Sequence, residues 1–587
     1  MDLFLWLKVG KLRVKWGICF DSLIFVLTVV VTFVSFWVHV YSIGYMANDV
    51  NRAKFMVYLN FFTFMMVFLL TSPTFIQLFV GWEGVGIASY LLISFWNHKL
   101  KAGLAAIKTF IVNRIGDAAI LLGICVLFFK FETFDFSLIN LKIPSQISQT
   151  IEFCGYNFPT LDLIGSLFLI GAMAKSAQLI FHIWLPDAME APTPVSALIH
   201  AATMVTAGIF LIVKLSFLYE CTPLIRNFMK GIGSLTALFG AFVALTQIDI
   251  KKIIAYSTCS QLGYMMLACG CSAYDAAVFH IATHALFKAL LFLSAGSVIH
   301  AMSGEQEIYK MGGLAQLIPL SYTFMWIGSL AIAGIPFFAG YYSKDFIIVN
   351  AWANAPFWCV GIALLTVFLT AFYSWRLLWV VFQGKLNADD QVVAHIHESP
   401  WVMLGPLFVL ALGSSVGGWL GWRWLIKGQG SFSWQKSIVE NSSLEYLHPP
   451  FWLELSTIVL SLMGIACAFF IYRKPERANN LAKNLLYQLS YHQCYFDQIY
   501  QYLFVKPLFY IGELFYCLID IKTLDYRGLR NIGNSFVILS EKYKVIQDEY
   551  IGKYSFLMLL ATVVILTLYL LRFFSFYNFK GLAFNIL

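Results

Sequence analysis

The chain has 587 residues, 60% of them hydrophobic and only 12% charged, with a mean hydropathy of +0.76. A soluble domain carries roughly 25% charged residues, so this composition excludes the soluble globular class and points to a polytopic membrane protein. The formal net charge of +8 is spread over short loops and a late polar segment rather than gathered into one stripe, so no nucleic-acid partner is expected.

Apolar runs of at least about 18 residues, long enough to cross a bilayer, number about fourteen. Their limits lie near 17–41, 54–71, 73–96, 103–129, 161–184, 192–219, 231–247, 250–271, 274–301, 317–349, 356–382, 402–425, 452–472 and 554–574. The predicted fold class is an all-α polytopic membrane protein of about 14 transmembrane helices. The first run is too long for a signal peptide and lacks a small-residue cleavage site. Lys and Arg nearly balance between alternate loops, so charge does not set the orientation. The 11 cysteines form no CxxC pair or Cys/His cluster, and no glycine-rich nucleotide motif follows a strand-like run. No metal, redox centre or bound cofactor is therefore expected in this chain.

Charges within the apolar runs carry the functional signal. A charge at a helix centre costs roughly 2.5–3.5 kcal/mol on insertion scales, so such groups pair with one another, line an ion path, or both. In the third run, GWEGVG sets Glu83 among Gly81, Gly84 and Gly86, where helices approach closely and a carboxylate needs a cation or a proton. Lys175 of AMAKSAQ, in the fifth run, is the natural partner, and moving the carboxylate would switch the lysine; a purely structural buried pair is the alternative. In the fourth run Arg114 and Asp117 lie three residues apart on one helical face, close enough to neutralise each other, with Lys108 earlier on the same helix. Structural and functional roles stay open for these three.

His280, His284 and Lys288 recur every four residues in the ninth run and form one titratable stripe, to which His200 adds an imidazole from the sixth. Imidazoles with intervening water form a proton wire, the alternative being satisfied core histidines. In the tenth run, GIPFFAGYYSKD, the residues Gly334, Pro336 and Gly340 are expected to interrupt the helix and set Lys344 and Asp345 beside a wet pocket. The fifth run is its counterpart, with Lys175 ahead of Pro186. Residues 479–550 mix aromatic and charged residues, with no apolar run clean enough to span, and are expected to lie along the membrane as an amphipathic helix.

At GWEGVGIASYLL, AMAKSAQLIFHIWLPDAMEAPTPVSALIHAATMVTAG, DIKKIIAYSTCSQLGYM and HIATHALFKALLFLSAG, the chain resembles the chain 5 family of NADH:ubiquinone oxidoreductase, respiratory complex I, over about residues 20 to 385. That family is the distal antiporter-like subunit of the membrane arm. The resemblance implies two inverted five-helix repeats containing interrupted helices, here 54–219 and 231–382, between an N-terminal segment with the first span (1–53) and C-terminal spans (383–478). A lateral helix over 479–550 and a terminal anchoring span over 551–587 complete the implied division. It implies proton translocation coupled to quinone reduction elsewhere in the complex, with NADH, FMN, iron–sulfur clusters and ubiquinone held by other subunits. By motif, Glu83 and Lys175 become the modulating ion pair with Lys108 and Asp117 in its polar surroundings. His200, His280, His284 and Lys288 match the central hydrophilic axis, and Lys344 with Asp345 the terminal proton-transfer site.

The implied partners are other membrane-arm subunits, especially the antiporter-like chain 4, together with lipids. The chain is about two spans short of the family at its start, which leads to the expectation that a separate polypeptide, lipid or another subunit fills that place. Ile180 stands where relatives commonly have proline, and Phe346 where an acid commonly follows SKD. The expected location is the mitochondrial inner membrane, with a bacterial plasma membrane or thylakoid as alternatives. Rival functions are a subunit of a multi-subunit sodium/proton antiporter, and a scaffold subunit of the arm without its own proton path.

Overall fold

The computed structural model describes residues 2–10, 12–153, 155–388, 390–427, 433–434, 437–439, 450–473, 484–544 and 550–583. The chain divides into two compact units, Met1–Phe496 and Asp497–Leu587. The first opens on an antiparallel hairpin, β1 (Asp2–Val9) and β2 (Leu12–Gly17), turned at Gly10 with φ +57°. The first span therefore starts later than its apolar run, at Ser22, because the Asp21 carboxylate accepts from the Ile24 N–H at 2.8 Å and caps the helix there.

Helices follow in chain order: α1 (Ser22–Tyr45), α2 (Arg52–Leu70), α3 (Phe75–Ile93), α4 (Leu100–Phe131) and the short α5 (Phe136–Lys142). A small hairpin, β3 (Thr150–Phe153) and β4 (Tyr156–Pro159), leads into α6 (Thr160–Lys175). Next come α7 (Thr193–Ala201), α8 (Met204–Lys214), the one-turn α9 (Ser216–Tyr219), α10 (Pro223–Ala244), α11 (Ile250–Gly270) and α12 (Tyr274–Ala301). The unit closes with α13 (Pro319–Ala333), α14 (Ala339–Asn354), α15 (Phe357–Phe382), the short α16 (Asp390–Val393), α17 (Trp401–Gly421), α18 (Phe451–Tyr472) and α19 (Leu485–Tyr491).

Twelve helices among the described residues are long and apolar enough to cross a membrane, against the fourteen runs expected. The difference has physical causes. The fifth run breaks after α6, the tenth divides into α13 and α14, and α11 carries enough polar residues to fall below the hydropathy of a simple span. The count also includes a stretch of 479–550 in which no spanning run was expected. There, Gln493–Lys544 contains an 18-residue window of mean hydropathy 1.4, because between Asp497 and Asp520 only Lys506 and Glu513 are charged.

Small residues bring the helices together. A Cβ at Gly233, Gly240 or Gly263 would lie 2.4–2.6 Å from a backbone nitrogen of the facing helix, so α10 and α11 pack backbone to backbone. α12 sits at the centre, packed against α1, α7, α11, α13, α14 and α17 and buried along almost its whole length. The histidine stripe is thus placed on a helix that is almost wholly enclosed by its neighbours.

The second unit continues α20 (Phe496–Tyr500) through a π-helical turn at Gln501–Val505 into α21 (Lys506–Phe515). A second π-helical stretch, Tyr516–Arg530, joins it to α22 (Asn531–Lys544), and α23 (Ile551–Ala583) ends the described chain. At about 1.5 Å per residue, the stretch from Phe496 to Lys544 is on the order of 70 Å long.

Candidate functional site

The expected Glu83–Lys175 pair is replaced by two crossed pairs. Glu83 accepts from the Arg114 guanidinium at 2.6 Å, and Asp117 is the carboxylate beside Lys175, at 3.8 Å. Arg114 and Asp117 therefore do not neutralise each other. Successive helical residues point about 100° apart, so Glu83 on α3 turns to the half-exposed Arg114 while Trp82 turns inward. The Trp82 indole N–H donates to Asp117 at 2.7 Å, and the Lys175 ammonium lies 5.6 Å from that ring's centroid. Lys175 is buried without a hydrogen-bond partner, and a Cβ at Gly86 would come within 3.2 Å of its Nζ. Lys108 is held elsewhere, 2.6 Å from Asp187 in the LPDAMEAP segment.

α6 ends at Lys175 itself, well before Pro186. Ala177 (φ 46°) and Ile180 (φ 81°) turn the chain into two 3-10 turns, Phe181–Trp184 and Asp187–Glu190. Proline is fixed near −65° and could not adopt the φ of Ile180, so the break seen here is one that a proline at this position could not make. Past the break, Trp184 donates to the Ala174 carbonyl at 3.0 Å and stacks on His200, which also stacks on Phe292. Both His200 ring nitrogens are buried without a partner.

On α12 the Lys288 ammonium donates to Ser257 Oγ at 2.5 Å and to the Ile254 carbonyl at 3.1 Å. Ser257 lines a cavity with Ser329, Tyr373 and Ser374, with room for about one water molecule. His284 Nδ1 lies 3.2 Å from the Ala201 carbonyl, and the His280 and His284 rings are 6.2 Å apart. His280 bridges Gln261, at 3.1 Å, and Ser343, at 2.9 Å. Ser343 precedes Lys344 on α14.

The tenth run breaks as expected, with Gly334 at φ +79° ending α13 and Phe337 at φ 76° before α14. Gly340 lies inside α14 and serves close approach instead, since a Cβ there would fall 1.9 Å from the Ala331 carbonyl oxygen. Lys344 is 1% exposed, has no hydrogen-bond partner and faces the Tyr264 ring at 5.3 Å. No ion pair within 4.0 Å joins it to Asp345, one of whose carboxylate oxygens is also buried without a partner.

Family comparison supplies the context for this geometry. The model described as NADH:quinone oxidoreductase/Mrp antiporter, TM matches residues 72–370. Those for the N-terminus of NADH-ubiquinone oxidoreductase (complex I) chain 5 and the C-terminus of NADH dehydrogenase subunit 5 match 6–56 and 373–570. NADH-quinone oxidoreductase subunit L of Rickettsia bellii is 42% identical over 95% of this chain and 88% of its own length. NADH-ubiquinone oxidoreductase chain 5 of Chondrus crispus is 45% identical over 90% and 81%, and that of Arabidopsis thaliana 42% over 96% and 86%.

The chain belongs to the chain 5/subunit L family of complex I.

The fold of that family is shared more widely: a structure of the Mrp complex from Dietzia sp. DQ12-45-1b matches at a TM-score of 0.69 and 22% identity. The match covers 97% of this chain, which spans 58% of the length of that one. Several site residues of this chain 5/subunit L member lie beyond the charged positions singled out from sequence. Trp82 and Asp187 stood inside the quoted motifs, in segments whose spacing gave them no partner, and Gln261, Ser257 and Ser343 are ordinary helix residues until the packing places them. Lys251 donates to the carbonyls of Met189 and Ala191 at 2.8 and 2.9 Å and so ties α11 to the loop after the break. Arg376 is fully buried on α15, its guanidinium between the rings of Tyr309 and Tyr472.

Proposed function

We propose that this subunit translocates protons along a buried axis running from Glu83, Lys108, Asp117 and Lys175 through His200, Lys288, His284 and His280 to Lys344 and Asp345. The observation that carries the reading is the burial of Lys175, Lys288 and Lys344 to 1% exposure or less, on α6, α12 and α14, with no carboxylate hydrogen-bonded to any of them and the nearest, Asp117, standing 3.8 Å from Lys175. A permanent ion pair would fix each proton in place, whereas a lysine held by hydroxyls, carbonyls or ring faces can change protonation as its neighbours change. The redox chemistry lies outside the chain, with NADH, FMN, iron–sulfur clusters and ubiquinone held by partner subunits. Residues 54–219 and 231–382 act as two repeats, each with an interrupted span that carries a buried lysine. The long helix after Phe496 runs along the membrane against the chain 4-like neighbour and lipid, and the host is an energy-conserving membrane such as the mitochondrial inner membrane.

The test is the proton-to-electron ratio in vesicles containing the assembled complex. Lys175→Met, Lys288→Met and Lys344→Met should each lower the ratio or stall turnover while the complex still assembles. A normal ratio at normal speed in all three would make the chain a scaffold.

A further inference from the structure

Away from this axis, a graded row of polar groups enters the bundle where the C-termini of α1 and α12 meet the N-terminus of α7. His397 is exposed, and its ring lies 6.2 Å from that of the half-buried His300 at the end of α12. The His300 ring is 6.3 Å from Tyr45 on α1, whose hydroxyl shares a 3.1 Å hydrogen bond with Thr193 Oγ1 at the first position of α7. From Thr193 the row continues along one helical face, since Ser196 and His200 stand three and seven residues further on. Thr193, Ser196 and His200 are all fully buried, and Ser196 Oγ and both His200 nitrogens have no hydrogen-bond partner. Gly296 makes the approach possible, because a Cβ there would sit 2.7 Å from the Tyr41 hydroxyl and 2.9 Å from the Thr193 methyl.

We propose that His397, His300, Tyr45, Thr193, Ser196 and His200 form a proton-uptake branch that loads the central axis at His200 from the aqueous end of α1, α7 and α12. The order of burial matches the task. The exposed His397 and the half-buried His300 place two imidazoles at the mouth, two hydroxyls that both donate and accept follow, and Ser196 with His200 offers the unsatisfied atoms that a relayed proton or an intervening water needs. Tyr45, with His397, is the titratable group facing His300. A neutral relay suits the entry, since a fixed charge there would repel or trap the incoming proton.

The proposal rests on the translocation reading above, and the experiment separates the two. In vesicles containing the assembled complex, the Thr193→Val/Ser196→Ala double variant should slow coupled proton uptake by on the order of tenfold, the scale of one lost hydrogen-bonded link. Thr193→Ser, which keeps the hydroxyl, should stay near the parent rate, and NADH oxidation by a soluble acceptor reports that the complex is intact. His300→Phe should lower uptake most at alkaline pH, where free protons are scarce, and recover at acid pH, a signature that a packing defect would not give. Parent-like uptake and pH profile in both the double variant and His300→Phe would overturn the branch. If Lys175→Met, Lys288→Met and Lys344→Met all pump normally as well, the translocation reading falls with it; if any of the three fails to pump, only the branch is lost.

Discussion

Gly86 shows how far a residue without chemistry can control one with it. Its missing Cβ leaves the 3.2 Å approach of the Lys175 ammonium, tighter than ordinary contact. Gly86→Ala should therefore push the ammonium a few tenths of an ångström along its cleft and reduce coupled pumping by roughly two- to tenfold, given how steeply rates depend on placement. Proton uptake per electron in the assembled variant measures this, and a parent-like value would show that the lysine has slack. The charged residues were legible in the sequence because buried charge is rare, but their pairing was not. Which carboxylate faces which cation depends on the rotation of α3, α4 and α6 about their own axes. Spacing along one helix does not fix that rotation relative to another. Arg114 and Asp117 illustrate it: they share a helical face by spacing, yet each finds its partner on a different neighbouring helix.

Among the elements, the interrupted helices were only half legible. Gly334 and Pro336 announce the break between α13 and α14, because a left-handed cap and a missing N–H end a helix by themselves. The break after Lys175 carries no such mark, since Ala177 and Ile180 take positive φ without being glycine. Gly340 was read as part of a break and instead permits a helix crossing. Gly340→Ala places a methyl 1.9 Å from the Ala331 oxygen, an overlap that only a shift of α13 against α14 can relieve. Overpacking of this kind costs about 1–3 kcal/mol or more, so the variant should lower the thermal midpoint or the yield of assembled complex. A parent-like midpoint in a thermal unfolding series would show that the two half-helices slide freely. The hairpin β1–β2 escaped notice for a different reason: six or eight residues of alternating pattern are a weak signal beside runs of twenty apolar ones.

At the scale of the whole molecule, one ion pair ties the start of the bundle to its middle. Asp21 caps α1 and also lies 2.5 Å from Lys214 at the end of α8. Asp21→Ala removes both contacts and should cost about 2–4 kcal/mol, whereas Asp21→Asn keeps the cap and should cost less. Thermal unfolding of the parent and both variants checks this, and an Asp21→Asn midpoint equal to the parent's would mean that the long-range pair contributes nothing. Class and membrane character followed from composition, because a bilayer's demands are global; the crossed pairs of α3, α4 and α6 did not, because they are local. Those pairs also have an electrical meaning. Glu83 with Arg114 and Asp117 with Lys175 make two neutral dipoles, and an exchange of partners between them moves charge through the membrane field without any proton leaving the protein. A field of about 100 mV acts on a full charge crossing with about 2.3 kcal/mol, so even a fraction of that displacement lets the membrane voltage bias which carboxylate holds which cation.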